Sequence, residues 1–313
     1  MNSTPRWSSM LLSVLLVTAC TAAGAPAPSP APSADASPTL SASVQRATPT
    51  PAQPLPALPP GELLFDGSLL ICSDLPYPPQ EFFDERGNPV GSDVEIGEEI
   101  ARRLGLQARI VNSIFDTIID ALNGGNCDIV ISAQNITAER QAQVDMIPYF
   151  QAGQAFILRR GNPAGIHTEL DLCGRRVGAQ SGTVQVDVVL GTGENAGQGL
   201  TTACAEHGKP AILLREFDKD DEALAALKAD DVDTYFVDSP AAGYHVVQDS
   251  DGLELADLTL DVAVQGISVP KDRPALNEAV RTALASMMDD GTYVEILARY
   301  GVQDGSVAEV VRR

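Results

Sequence analysis

Basic residues are scarce: 21 Lys and Arg stand against 42 Asp and Glu in 313 residues, a formal net charge of −21. A nucleic-acid surface needs clustered cations to displace phosphate counterions, and none is visible, so nucleic acid is excluded as a partner. The acidic excess instead favours solubility through self-repulsion. The three histidines, His167, His207 and His245, are scattered without metal-ligand spacing. There is no C-x-x-C and no nucleophile elbow, so zinc, redox and triad chemistry have no basis, and no metal or cofactor is expected. Long apolar runs are missing as well. The run Met10 to Thr18 falls well short of the roughly 20 residues that cross a bilayer, and no later stretch is long and apolar enough to do so.

That short run, preceded by Arg6, reads as a signal peptide over residues 1–19. Val17-Thr18-Ala19-Cys20 resembles a lipobox, which implies that Cys20 becomes the acylated first residue and holds the protein on a membrane. Residues 20–60 are almost entirely Ala, Pro, Ser and Thr. Such a stretch buries too little apolar surface to offset the entropy of ordering, and its prolines favour an extended tether. Four cysteines follow Cys20, namely Cys72, Cys127, Cys173 and Cys204. An even number in an exported chain suggests disulfides, with three connectivities open.

Beyond the tether, strand and helix signals alternate. Ser68–Ser73 reads as a buried strand that ends at the turn-rich Asp74-Leu75-Pro76-Tyr77-Pro78-Pro79. Gly87-Asn88 suggests a hairpin, and Ser92 or Asp93 an N-cap for a helix with Val94, Gly97, Ile100, Ala101 and Leu104 on one face. A strand over 108–111, a helix through Phe115, Ile118, Ile119 and Leu122, and a strand over 128–132 follow. A second block repeats the rhythm, with strands at 176–179, 212–214 and 234–237 and helices from about Val184 and over 222–228. The pattern predicts an α/β fold in two lobes with largely parallel strands, whose carboxyl ends hold the ligand. Two closing helices carry Leu276, Val280, Leu284 and Met287, then Tyr293, Ile296, Leu297 and Tyr300.

Chemistry concentrates at the predicted strand ends. Ser181-Gly182-Thr183 lies between a strand and a helix, where free N–H groups and the helix dipole favour an anion. Asn135 and Arg140 follow another strand, with Thr137 as a helix cap, and the planar guanidinium of Arg140 suits a carboxylate. Asp238 ends the strand Tyr235-Phe236-Val237 and is able to neutralise an ammonium. One cation and one anion on separate strand ends match a zwitterion. Gly191-Thr192-Gly193-Glu194-Asn195-Ala196-Gly197 has the wrong spacing for a dinucleotide fingerprint and reads as a loop.

Six segments, in order, resemble the family 3 extracellular solute-binding proteins, the polar amino acid receptors of ABC importers. They are Ser73–Pro79, Gly91-Ser92-Asp93-Val94-Glu95, Asn135–Arg140, Val177–Thr183, Val232–Asp238 and Asp290-Gly291-Thr292-Tyr293, and the resemblance covers nearly everything from Leu69 to Gly301. It implies a type II periplasmic-binding-protein-like fold, with lobe 1 over 61–153 and 266–313, lobe 2 over 154–265, and crossovers near 151–154 and 262–266. By position, Tyr77 and Phe115 resemble the aromatic walls around the ligand and Arg140 the clamp on its α-carboxylate. Asp238 resembles the ammonium partner and Thr183 the second carboxylate contact, while Asp74, Ser132 and Asn135 resemble further polar contacts.

The same resemblance implies disulfides Cys173–Cys204 in lobe 2 and Cys72–Cys127 in lobe 1. It also implies a monomer that meets the importer's permease subunits. Ser92, Met146-Ile147 and Val184 depart from the usual family residues, which bears on ligand specificity. An amino acid-processing enzyme of the dehydratase type on the same scaffold is the alternative. It would need an acid or base outside the zwitterion clamp, and none is evident. A sensor would continue into a membrane span and a signalling domain, and neither is expected from the residues present.

Overall fold

A computed structural model describes residues 58–307. The signal segment, Cys20 and nearly all of the tether lie outside the described residues. The first strand, β1 (Ser68–Ser73), is buried along its whole length. A hairpin of β2 (Phe82–Phe83) and β3 (Pro89–Val90) follows as expected at Gly87-Asn88. Next come α1 (Ser92–Arg103), β4 (Gln107–Asn112), α2 (Ile118–Asn123), β5 (Ile129–Val130), α3 (Ala138–Gln143) and the long β6 (Asp145–Arg159). The second block holds β7 (Arg176–Gln180), α4 (Val184–Leu190), α5 (Leu200–Glu206), β8 (Leu213–Phe217), α6 (Asp220–Lys228), β9 (Thr234–Asp238) and α7 (Ser239–Gln248). The long β10 (Leu253–Val269) then returns, and α8 (Pro274–Asp290) and α9 (Thr292–Arg299) close the fold.

Apart from the β2-β3 hairpin, the strands form one sheet in the order β4-β1-β5-β10-β6-β9-β7-β8. In one half, β1 runs parallel to β4 and β5; in the other, β7 runs parallel to β8 and β9. Between these triads β6 and β10 pair antiparallel, from Leu253 opposite Arg159 to Val269 opposite Asp145. The parallel expectation therefore holds within each half, and the two strands that pass through both halves are the exception.

Three local expectations change. The strand expected over 128–132 shortens to Ile129–Val130, because the chain then leaves the ladder: Ala133 adopts a positive φ of 45° and Gln134 O accepts from Gly266 N. The strand expected at 212–214 instead runs to Phe217, since β8 is the sheet's edge and tolerates the exposed Arg215 and Glu216. Helix α1 is capped by Gly91 with no side-chain cap bond, not by Ser92 or Asp93. At Gly91 φ is 130° and an added Cβ would sit 2.1 Å from Gln80 O, so glycine is required there.

Helices α1, α8 and α9 cover one face of the first half, where Ile71, Ile96, Ile100, Leu284, Met287 and Leu297 are buried together. On the other face Ile118 and Leu122 of α2 pack around the disulfide Cys72–Cys127. In the second half Phe156 and Phe236 stack at 4.1 Å, and Cys173–Cys204 closes the cluster around Val177 and Val189. Both implied pairings are thus present. They link residues 55 and 31 positions apart, and each removes unfolded-chain entropy worth about 4 kcal/mol. Tyr77 and Ala133, carried on first-half loops, bury themselves in the second half's core beside Tyr235 and Val237.

Candidate functional site

Parallel strands release their chains at their carboxyl ends, and here both triads point those ends inward. Loops after β1, β5 and β7 and the end of β9 line one partly open cavity, about 310 Å³ when counted out to solvent at its mouth. The eight residues singled out from sequence, Asp74, Tyr77, Phe115, Ser132, Asn135, Arg140, Thr183 and Asp238, all face this space.

Thr137 caps α3 by accepting from Arg140 N at 3.2 Å, which fixes where the Arg140 side chain leaves the helix. Its guanidinium donates to Asn135 O at 2.7 Å and to Gly182 O at 2.8 Å, and lies 5.3 Å from the Phe115 ring centre. Burial lowers the Arg140 pKa to about 10, against the pull of Asp187 and Asp238, so the group stays cationic at neutral pH. Two carbonyls hold part of the fork, and its remaining N–H donors are left for a carboxylate.

Asp238 is 4% exposed. Its carboxylate accepts from Gln185 Nε2 at 2.8 Å and Gln265 Nε2 at 2.9 Å, and the Tyr77 hydroxyl bonds it as well. Burial raises its pKa to about 6, and Tyr77, Gln185, Arg140 and Gln265 oppose that rise. The site thus offers a fixed cation and a desolvated anion contributed by opposite halves of the sheet.

The other expected residues are partly spoken for within the protein. Ser132 Oγ donates to Glu81 Oε1 at 2.7 Å and accepts from Asp74 N at 2.9 Å. The Thr183 hydroxyl donates to Gln180 O at 2.6 Å, so its proton is committed to the turn. Asn135 Oδ1 is buried with no partner and lines the cavity. Asp74 accepts from Gln180 and from Lys219 of the far half. Burial raises Asp74, and Lys219 and Gln180 lower it.

Sequence reasoning missed Glu81, Gln180 and Gln185, which also line the cavity, and Gln265 and Lys219, which touch its acids. Gln180 had one legible signal, its place directly after the end of the strand predicted over 176–179. A larger open groove adjoins the cavity and shares Asn135 and Val184 with it. No Lys or Arg lines that groove, so of these two neighbours it is the smaller cavity that combines both charges a zwitterion requires.

Comparison with known proteins agrees with this architecture. Residues 69–303 match the model of the bacterial extracellular solute-binding proteins, family 3. The L-cystine-binding protein TcyJ of Escherichia coli (strain K12) is 28% identical over 227 residues, 72% of this chain and 79% of that protein. A probable ABC transporter arginine-binding protein, ArtJ of Chlamydia trachomatis, is 26% identical over 239 residues, covering 75% and 86%. Among solved structures, an ancestral arginine-binding protein bound to glutamine superposes with a TM-score of 0.66 at 33% identity, covering 76% of this chain and 99% of that one. With the family model spanning most of the folded chain, this protein belongs to the bacterial extracellular solute-binding proteins of family 3.

Proposed function

We propose that the protein is the extracytoplasmic receptor of an ABC importer, holding a small α-amino acid in the cavity and passing it to the permease. The observation that carries this reading is the pairing of Arg140 and Asp238 across one cavity. The guanidinium binds the α-carboxylate, Asp238 meets the ammonium, and Tyr77 and Phe115 flank the side chain. Asp74, Ser132, Asn135 and Thr183 complete the polar lining. Relatives named for cystine and arginine, and a solved neighbour holding glutamine, support an amino acid as the solute.

The lobes are 61–153 with 266–313, and 154–265, hinged near 151–154 and 262–266. Supporting this, the β6/β10 ladder slips between Leu260 and Ala263 and again between Gln265 and Gly266. On the same reading residues 1–19 are a signal peptide and Cys20 carries a lipid. The 20–60 tether lets a monomeric body reach the importer.

The test is a melting series on ligand-stripped protein with each single amino acid. Binding raises the melting point as solute exceeds its dissociation constant, and the solute is expected back chemically unchanged. No shift with any α-amino acid would remove the assignment, and a converted product would replace it with an enzyme.

Closure makes a further demand. Gly182 has φ of 73°, and a Cβ there would lie 2.5 Å from Asp116 Oδ1 on the other half. Gly182→Ala is therefore expected to resist closing and weaken binding by about tenfold or more, since a clash of only about 1.4 kcal/mol suffices for that factor. Calorimetric titration beside an unchanged circular dichroism spectrum measures it.

A further inference from the structure

The amino acid reading leaves the solute's side chain open, and the charges around the cavity narrow it. Arg140 and Asp238 are taken by the carboxylate and ammonium common to every α-amino acid. A cationic side chain would need another ionised carboxylate with a free oxygen, and the remaining acids in the lining are Asp74 and Glu81.

Neither is free. Lys219 caps α6 from the turn after β8 and extends across to the first half, where its ammonium bonds Asp74 Oδ1. It also donates to Ser113 O at 2.8 Å and Leu75 O at 3.2 Å. Every N–H of the ammonium thus meets an oxygen. The second Asp74 oxygen accepts from Gln180 Nε2. Glu81 is 1% exposed, and one of its oxygens accepts from Ser132 Oγ at 2.7 Å. Burial and the adjacent Asp93 push Glu81 well above the usual carboxylate range, which disfavours its ionised form. Burial raises Asp93 too, and its bonds from the Tyr149 hydroxyl and Ala133 N, at 2.5 and 2.9 Å, oppose that rise.

We propose that Lys219 is a specificity-determining residue: by occupying the Asp74 carboxylate it restricts the cavity to α-amino acids with uncharged side chains and rejects arginine and lysine. This rests on the amino acid reading above. A cationic side chain entering the cavity would meet an Asp74 already neutralised, or would strand the Lys219 ammonium beside carbonyls with no counter-charge.

The experiment is calorimetric titration of the full, ligand-stripped chain with the uncharged amino acids, arginine and lysine near neutral pH. Like-charge juxtaposition costs several kcal/mol, so at least one uncharged amino acid should bind about 100-fold or more tighter than arginine and lysine. Lys219→Met should gain at least about tenfold for arginine or lysine, and adding Asp74→Asn should remove the gain. Equal or tighter arginine or lysine binding by the unmodified protein overturns the proposal and leaves the amino acid reading standing. An unchanged selectivity in a folded Lys219→Met also overturns it. If that variant does not fold, the selectivity of the unmodified protein decides alone. Failure to bind any α-amino acid removes the parent reading and the proposal together.

Discussion

Replacing Arg140 with alanine is expected to weaken amino acid binding by a factor of about 30 to 5,000, the equivalent of about 2–5 kcal/mol for a buried charge pair that loses one partner. Asn135 O and Gly182 O already fix the guanidinium, so no reorganisation is needed when a carboxylate arrives. Phe115 beneath it strips water from one face and adds a cation–π contact. Arg140→Lys should not restore affinity, because an ammonium is a point charge and cannot span two carbonyls and a carboxylate in one plane. Binding is read by calorimetry, and melting in the absence of solute shows that the variant folds. An affinity within a factor of about two of the unmodified protein would remove Arg140 from the carboxylate role and shift it to the N–H groups near Thr183.

Fold and cavity differ in how much of them the sequence revealed. Helical periodicity exposed α1, α8 and α9 because each buries a single stripe, as with Leu276, Val280, Leu284 and Met287. Asp74, Asn135, Thr183 and Asp238 stood out because strand ends punctuated by Gly, Pro and polar residues mark where a parallel sheet meets its ligand. Lys219 had no such mark. It is one more charged residue before a helix, and its partner Asp74 lies 145 positions away. Gln185 and Gln265 were equally silent, since a glutamine on a helix or strand is ordinary until the fold brings both amides onto Asp238. The short β5 was overread because Ile131 continues the apolar run and still bonds Cys72 O, although the chain turns away at Ala133.

Binding should also be lost in acid, with a midpoint near the Asp238 pKa of about 6. An ammonium bonds only the ionised carboxylate, so protons and solute compete for one group. Affinity is then flat above neutral pH and falls about tenfold for each pH unit below about 6. Stability of the solute-free protein runs the opposite way. The folded carboxyl holds its proton more tightly than the unfolded one, whose value is 3.8, so folding binds a proton between 3.8 and about 6. The contribution of Asp238 to stability therefore falls as pH rises through that window, by about 3 kcal/mol in all. A bound ammonium offsets this loss, so the melting shift produced by solute should grow as pH rises through 6. Asp74 and Glu81 are also raised and share the solute-free curve, so the decisive comparison is with Asp238→Asn. That variant should bind weakly at every pH and lack the step. A step that survives in the asparagine variant would transfer the ammonium to another acid, Asp74 or Glu81, and with it the assignment of which end of the cavity holds the solute's backbone.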